Sequence, residues 1–173
     1  MTVWDTHRKK RNGRIAVGAR FADGKVVSLS RLREFLSGVV HSGERVCVEG
    51  DNQKQADVLA RALADLDPRH VHDLHMIQSG VILPEHLDIF DKGIARRLDY
   101  SYSGPQSARI ARMLQNGKIE LGAIHTYLEL YARYFIDLTP QVALIAAVSA
   151  DRYGNLYTGP NTEGTPTIVE ATS

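Results

Sequence analysis

The chain has 173 residues, of which 43% are hydrophobic and 24% are charged, and its formal net charge is +1. This length and composition predict one globular domain with a sizeable core. The near-zero charge argues against nucleic acid or an acidic membrane surface as the partner, and no apolar run approaches the ~18 residues of a transmembrane helix. The one cysteine, Cys47, cannot form an internal disulfide, which fits a reducing compartment, with the cytoplasm as the default location.

Residues 1–23 are interpreted as a basic N-terminal arm. They hold six Lys or Arg and two Asp, a balance of +4, whereas the remaining residues carry −3. The stretch shows no clear hydrophobic periodicity. Its segment HRKKRNGR could be a nucleic-acid patch, but a solvated arm or a strap onto a partner subunit is the favoured interpretation.

Residues 24–173 are expected to form an α/β domain, and its first half alternates strands with helices. A short strand is predicted at 25–29, and Ser30 is expected to cap the helix that follows. The pattern RVCVE predicts a buried strand at 45–49. A polar turn then leads into a helix that begins near Gln53 and ends before Asp67-Pro68.

The second half of the domain continues the alternation. Strands are predicted at 71–77, 94–102, 119–123 and 142–148, and helices from Pro84 to Gly93, up to Asn116, and from Thr126 to Phe135. The run VALIAAV at 142–148 is typical of a strand buried on both faces. The final TPTIVE resembles a cap and a first helical turn, so we expect the chain to be the front piece of a longer polypeptide; a frayed terminus is the alternative.

The repeated β-α order with short connections predicts an α/β fold with a largely parallel sheet and helices on both faces. Ligands of such sheets bind at the rim formed by the carboxyl ends of the strands. Four polar turns are predicted there: Gly50-Asp51-Asn52-Gln53, Gln78-Ser79-Gly80, Ser103-Gly104-Pro105-Gln106 and Gly159-Pro160-Asn161. Their small residues and amides would let a ligand approach the backbone closely, although any protein of this class has such turns.

Glu49 is the obvious candidate for a nucleophile or general base. It ends the strand before Gly50, where burial could raise the pKa of its carboxyl group. The alternative, weighed equally, is a structural Glu that pairs with Lys54 or Arg45 or caps the following helix.

The histidines offer two further candidates. His70, His72 and His75 suggest a metal site, but strand alternation points His75 to the opposite face, so no metal site is expected. His125 and Thr126 lie at a strand-to-helix junction on the same rim. His125 could contact a carboxylate substrate or act as a general acid, and Thr126 could simply cap the helix.

No GxSxG, P-loop or complete GxGxxG motif is present, which counts against hydrolase, NTPase and dinucleotide-binding functions. Four blocks of sequence do carry a resemblance. They are VCVEGDNQKQADVLARAL, VHDLHMIQS, LDYSYSGPQSARIARMLQNGKIELGAIHTYLELYARYF and VALIAAVSADRYGNLYTGPNT. In order and wording they resemble the amino-terminal part of the malonate decarboxylase alpha subunit family, from about Trp4 to Thr172. More distantly, the strand followed by ADRYGN resembles family I coenzyme A transferases and the citrate lyase alpha subunit.

The resemblance implies a transferase that converts acetyl-S-acyl-carrier-protein and malonate into malonyl-S-acyl-carrier-protein and acetate. It implies as partners the acyl carrier protein subunit and decarboxylase subunits, and it implies no directly bound cofactor. The acyl group would travel on the carrier's phosphoribosyl-dephospho-coenzyme A prosthetic group. Backbone N–H groups at the rim would stabilise the oxyanion of thioester exchange.

One departure from the family pattern changes the expected role of Glu49. Related transferases have two similar α/β halves, and their catalytic Glu lies in the second half, beyond the equivalent of Ser173. The resemblance therefore implies no catalytic residue in this chain and makes Glu49 a supporting residue. The residues implied to bind substrate or the carrier arm are Gly50, Asp51, Asn52, Gln53, Ser79, Ser103, Gly104, Pro105, His125, Thr126, Gly159 and Asn161. The isolated chain is expected to be inactive and, through an exposed sheet edge or helix face, to self-associate.

Two other functions stay open at this point. One is a non-catalytic binding or assembly domain in a larger complex. The other is a sugar-phosphate isomerase-like enzyme, which needs a phosphate clamp beside an acid–base group, and Lys54 with Glu49 is the only nearby pair.

Overall fold

The computed structural model describes residues 3–50 and 54–172. Seven helices and seven strands are assigned within these ranges. The helices are α1 (Val3–Gly18), α2 (Leu32–Val39), α3 (Asp57–Ala64), α4 (Glu85–Asp91), α5 (Ser107–Gln115), α6 (Tyr127–Ile136) and α7 (Thr165–Ala171). The strands are β1 (Arg45–Val48), β2 (Leu74–Gly80), β3 (Ala95–Tyr102), β4 (Glu120–Ile124), β5 (Val142–Leu144), β6 (Ser149–Ala150) and β7 (Leu156–Tyr157).

Five strands form one sheet in the order β4-β3-β2-β1-β5, and every described pair in it is parallel. Helices α2 to α5 pack on one face, where Val46, Val48 and Met76 belong to the larger core cluster. Helices α6 and α7 pack on the other face against Cys47 and Ile77. This architecture confirms the predicted α/β fold. No described helix is both long and apolar enough to cross a membrane.

The N-terminal stretch is more regular than the sequence indicated, because residues 3–18 form helix α1. Small residues let α1 approach α2 closely: Gly18 lies against Phe35, and Gly38 lies against Val17. Arg14 also pairs with Glu44 at 2.5 Å. The partners in these contacts, Phe35, Gly38 and Glu44, lie outside α1, so the sequence of α1 alone gives little sign of them.

Two local predictions before β1 are wrong. The strand predicted at 25–29 is reduced to a single bridge between Asp23 and Val26. Ser30 does not cap a helix, because a 3₁₀ turn at Leu29–Arg31 precedes α2 and the Ser30 hydroxyl instead contacts that of Ser28 at 3.0 Å.

The strand predicted at 142–148 is also shorter and less buried than expected. Only Val142–Leu144 is extended in the sheet, and its only described neighbour is β1, so it lies at a sheet edge. Val142 and Ala143 are partly buried, and Val148 is exposed. A continuous apolar run does not by itself distinguish a central strand from an edge strand whose outer side meets other elements.

Candidate functional site

The rim of the sheet brings β1 and β2 unusually close at Gly50 and Gly80. A Cβ built on either glycine would fall far inside van der Waals contact with the other's carbonyl oxygen, and one on Gly50 would also lie 2.8 Å from Cε1 of His86. Glycine is therefore required by the close approach of two backbones. Asp51, Asn52 and Gln53, which follow, lie outside the described residues, so their binding role stays a prediction.

Glu49 is fully buried immediately before this rim. The Nζ of Lys54, whose side chain is 9% exposed, lies 3.0 Å from Glu49 Oε1. The Thr165 hydroxyl donates to the same oxygen, and the Ala146 N–H donates to Oε2 at 2.8 Å. Lys54 also donates to the Thr165 hydroxyl. Both carboxylate oxygens thus have protein partners, as buried charges require.

The Glu49–Lys54–Thr165 cluster joins three parts of the chain that are distant in sequence. Glu49 follows β1, Lys54 precedes α3, and Thr165 begins α7. A carboxylate held in this way is poorly placed to attack a thioester, since attack would break its ion pair and hydrogen bonds inside the protein. The structure therefore favours the structural alternative with Lys54 over the nucleophile, and Arg45 instead donates to the Thr139 carbonyl.

The second predicted turn is wrong in its local structure. Gln78, Ser79 and Gly80 are the last residues of β2 and are all buried. Strand β2 begins three residues later than predicted, because the backbone around His70 and Val71 turns back to hydrogen-bond with the Asp67 carbonyl and Asp73 has a positive φ of 55°. The whole strand is thereby shifted toward the rim.

The third predicted turn is confirmed at the end of β3. Gly104, Pro105 and Gln106 form a 3₁₀ turn after Ser103, and Gly104 has a φ of +47°. The side chain of Gln106 donates to the Ile82 carbonyl at 3.2 Å. This turn therefore lies beside the loop that follows β2, as the parallel order implies.

Gly159 and Asn161 have only local contacts in the described structure. Gly159 has a φ of +72° and lies against Val148 of the preceding segment. The Asn161 side chain donates to Glu163 at 2.9 Å. These contacts do not bring the fourth turn to Glu49, and its part in substrate binding stays a prediction. What does reach Glu49 from this part of the chain is Thr165, which the sequence suggested only as a helix cap.

His125 lies at the carboxyl end of β4, as expected, but both of its ring nitrogens face protein carboxylates. Nε2 is 2.7 Å from Asp99 Oδ1, and Nδ1 is 3.1 Å from Glu129 Oε1. His125 thus has a protein partner at each ring nitrogen, and its contact with substrate stays a prediction. Thr126 is the N-cap of α6 and accepts a hydrogen bond from the Glu129 N–H, which confirms the capping alternative.

Asp99 is the centre of this second cluster, and the sequence around it gave no indication of this role. His75 Nε2 lies 2.6 Å from Asp99 Oδ2. Gly122 on β4 leaves room for the carboxylate, because a Cβ there would come within 2.8 Å of Asp99 Oδ1 and closer still to Oδ2. The pairing of His75 with Asp99 also separates it from His70 and His72, and the described residues contain no group suited to a metal ion.

Two further buried polar side chains lie under the rim. Gln78 and His86 are fully buried, and their side-chain nitrogen and oxygen atoms have no hydrogen-bond partner of good geometry among the described residues. The Gly80 backbone lies close enough to raise the pKa of His86 slightly. Burial dominates and lowers the pKa of His86 to about 4, so the ring is neutral at pH 7. A buried His near the start of a helix gives no distinctive sequence signal.

His86 should make the protein lose stability between about pH 6.5 and about pH 4. In this window the unfolded chain takes up a proton that the folded chain excludes, so unfolding becomes more favourable as the pH falls. The measurement is urea unfolding at several pH values for the wild type and His86→Gln. We expect a shallower acid decline for the variant, whereas His70→Gln, at an exposed site, should follow the wild type; identical slopes for wild type and His86→Gln would contradict the assignment.

The fold and the site define an α/β protein with a parallel sheet. Gly50 and Gly80 lie at the carboxyl ends of two of its strands. Residues 3–173 match the family described as malonate decarboxylase, alpha subunit, transporter. The chain belongs to this family. The curated acetyl-S-ACP:malonate ACP transferase of Malonomonas rubra is 54% identical over 171 residues, which are 98% of this chain and 31% of that protein.

Two solved structures have the same fold. The malonate decarboxylase alpha subunit of Acinetobacter baumannii has a TM-score of 0.95 and 46% identity, covering 98% of this chain and 31% of its own. A Pseudomonas malonate decarboxylase hetero-tetramer in complex with malonate has a TM-score of 0.94 and 53% identity, covering 97% and 31%. The chain thus spans about a third of the length of these relatives.

Proposed function

We propose that this chain contributes one wall of an acetyl-S-acyl-carrier-protein:malonate transferase. The reaction exchanges acetate for malonate on the carrier thioester and yields malonyl-S-acyl-carrier-protein and acetate. The observation that carries the proposal is the family match over residues 3–173, together with 54% identity to a protein named for this activity. The position of the candidate site supports it, because ligands of open parallel sheets bind beside the carboxyl ends of the strands, where Gly50 and Gly80 lie.

In this proposal Glu49 anchors the site and does not attack the substrate. Its two oxygens hold Lys54, Thr165 and the Ala146 N–H. It thereby fixes the start of α7 against the end of β1, beside Gly50. The attacking carboxylate comes from outside the described residues. This chain positions the substrate and supplies backbone N–H donors to the developing oxyanion.

The proposed substrate arm is the phosphoribosyl-dephospho-coenzyme A group of an acyl carrier protein subunit, with no cofactor bound directly by this chain. Gln78 and His86 are fully buried and offer no positive charge to malonate. Both are uncharged at pH 7, and a dianion would require cationic partners. Decarboxylase subunits are further proposed partners, since a Pseudomonas relative is a hetero-tetramer, and the cytoplasm is the proposed location.

Ligand-dependent thermal stability tests this proposal against its alternatives. We expect coenzyme A, used as a mimic of the carrier arm, to raise the melting temperature in a saturable way, and ribose 5-phosphate to leave it unchanged. Stabilisation by ribose 5-phosphate alone would favour the isomerase-like enzyme. No stabilisation by coenzyme A or malonate would favour a binding or assembly domain.

A further inference from the structure

Helix α1 packs on the rest of the protein through one face of its carboxyl-terminal half. Val17 lies against Gly38 of α2, and Arg14 pairs with Glu44 at 2.5 Å. Residues three or four positions apart share a helix face, so the same face continues toward the amino end of α1. The residues on that continuation decide what the amino-terminal half of α1 can contact.

A cleft of about 790 Å³ lies between α1 and the segment that joins α2 to β1. Near the amino end of α1 it is lined by Thr6, Lys9, Lys10 and Gly13, which have the spacing of one helix face. An added Cβ at Gly13 would meet nothing within 4 Å, so the cleft is open there. This part of the face has no large hydrophobic side chain and is therefore unsuited to a purely apolar partner.

The charges in the cleft do not cancel. Glu44 pairs with Arg14 and accepts a hydrogen bond from the His41 N–H at 2.9 Å. Burial works to raise the pKa of Glu44, yet these partners hold it below its ordinary value, so it is ionised at neutral pH and neutralises Arg14. Lys9 and Lys10 are exposed, and neither has an ion-pair partner within residues 3–50 and 54–172. The cleft therefore presents two unneutralised cations.

The length of the cleft favours a peptide over a small anion. Thr6 and Val17 both line it, so it runs roughly 17 Å along α1 at 1.5 Å per residue. An extended peptide covers this distance in about five residues. A small anion would contact only the two neighbouring lysines and leave most of the cleft unfilled, whereas a peptide with two or more carboxylates can pair with both lysines and fill the rest.

The number of free cations also distinguishes an acidic peptide from a nucleic acid. Nucleic-acid affinity depends on many simultaneous phosphate contacts. The cleft offers two unpaired lysines, and the formal net charge of the whole chain is only +1. Two cations suit a pair of carboxylates on one short segment.

We propose that the cleft between α1 and the segment joining α2 to β1 is a docking site for an acidic segment of a partner protein. Carboxylates of that segment pair with Lys9 and Lys10, and its backbone passes over Gly13. The cleft lies before the amino end of β1, whereas Glu49 follows the carboxyl end of the same strand. The inference therefore goes beyond the proposed acyl transfer and does not depend on it.

The test measures binding of a short fluorescein-labelled peptide of alternating glutamate and serine by fluorescence anisotropy, at low ionic strength because salt screens exposed charges. We expect the double variant Lys9→Glu, Lys10→Glu to bind about tenfold or more weakly, since two attractions become repulsions. The matched control is Arg8→Glu with Arg11→Glu. These exposed residues of α1 carry the same charge change but fall on the opposite face, outside the lining of the cleft, so this variant should keep most of the affinity.

Acetylation of lysines in the wild type gives a second readout that needs no variant. The bound peptide should protect Lys9 and Lys10 from an amine-acetylating reagent. Lys118, which is half-exposed and pairs with Asp91, should be acetylated equally with and without the peptide. Peptide mass spectrometry measures the extent of acetylation at each lysine.

Equal losses of affinity in the two double variants would overturn the proposal, because the peptide would then respond to net charge alone. An absence of binding to the wild type, or of protection at Lys9 and Lys10, would also overturn it. Tighter binding of a single-stranded oligonucleotide of the same charge would assign the cleft to nucleic acid instead. The assay contains neither coenzyme A nor malonate, so its outcome is independent of the titration that tests the proposed function.

Discussion

Replacing Glu49 by glutamine is expected to lower the free energy of unfolding by about 3–5 kcal/mol, the range for removing one partner of a buried ion pair. The variant keeps the shape of the side chain but leaves the buried ammonium of Lys54 without its carboxylate. It also weakens the link from β1 to Thr165 at the start of α7. The measurement is equilibrium unfolding in urea at pH 7.

A matched double variant tests whether the loss of stability comes from the unpaired charge or from a change in side-chain shape. Glu49→Gln combined with Lys54→Met removes both charges and leaves no uncompensated ion inside the protein. Because uncharged replacements of buried pairs are often tolerated, we expect the double variant to recover most of the lost stability. A double variant as unstable as Glu49→Gln alone would show that the charge of Lys54 is not what Glu49 compensates.

Replacing Gly50 by alanine is expected to cost about 3 kcal/mol of unfolding free energy, at the upper end of the usual range for overpacking. The new methyl group would overlap the Gly80 carbonyl oxygen and lie 2.8 Å from the His86 ring. One of these contacts is with backbone, so relief requires β1 and β2 to separate at the rim. The same variant should lose any stabilisation by coenzyme A if the rim binds the carrier arm.

Gly13→Ala is the control for this experiment. Gly13 lies in α1, and an added Cβ there would meet nothing within 4 Å. Because alanine is the better helix former, this variant should be unchanged or up to about 1 kcal/mol more stable. If Gly50→Ala behaved like Gly13→Ala, the close approach of the two strands would not be a constraint on the fold.

Much of the sheet could be predicted because short-range sequence patterns indicate its strands. The apolar centre of β1 and the Ser103-Gly104-Pro105 turn after β3 are short-range signals, and the structure has both close to where they were expected. The errors lie where contacts from elsewhere decide the local structure. Helix α1 depends on Gly38 and Glu44, and β2 starts late because His70 and Val71 bond back to Asp67.

Only part of the candidate site could be predicted from the sequence, because distant parts of the chain also contribute contacts to it. Lys54 could be named as a partner of Glu49 because it lies five residues away. Thr165 and Ala146 lie about a hundred residues away, and only the fold brings them to the same carboxylate. Asp99 gave no signal at all, since one acidic residue in a strand is compatible with an exposed edge, whereas here it is buried between two histidines.

The most direct test of the account is whether Glu49 anchors the site or attacks the thioester. The 173-residue chain is incubated with acetyl-S-acyl-carrier-protein and malonate. The reaction is quenched with hydroxylamine, which converts any acylated carboxylate into a hydroxamate. The peptides are then analysed by mass spectrometry. The Malonomonas rubra relative serves as the positive control. We expect no malonyl transfer by the chain alone and an unmodified peptide around Glu49. A hydroxamate on Glu49, or turnover that Glu49→Gln abolishes, would contradict it.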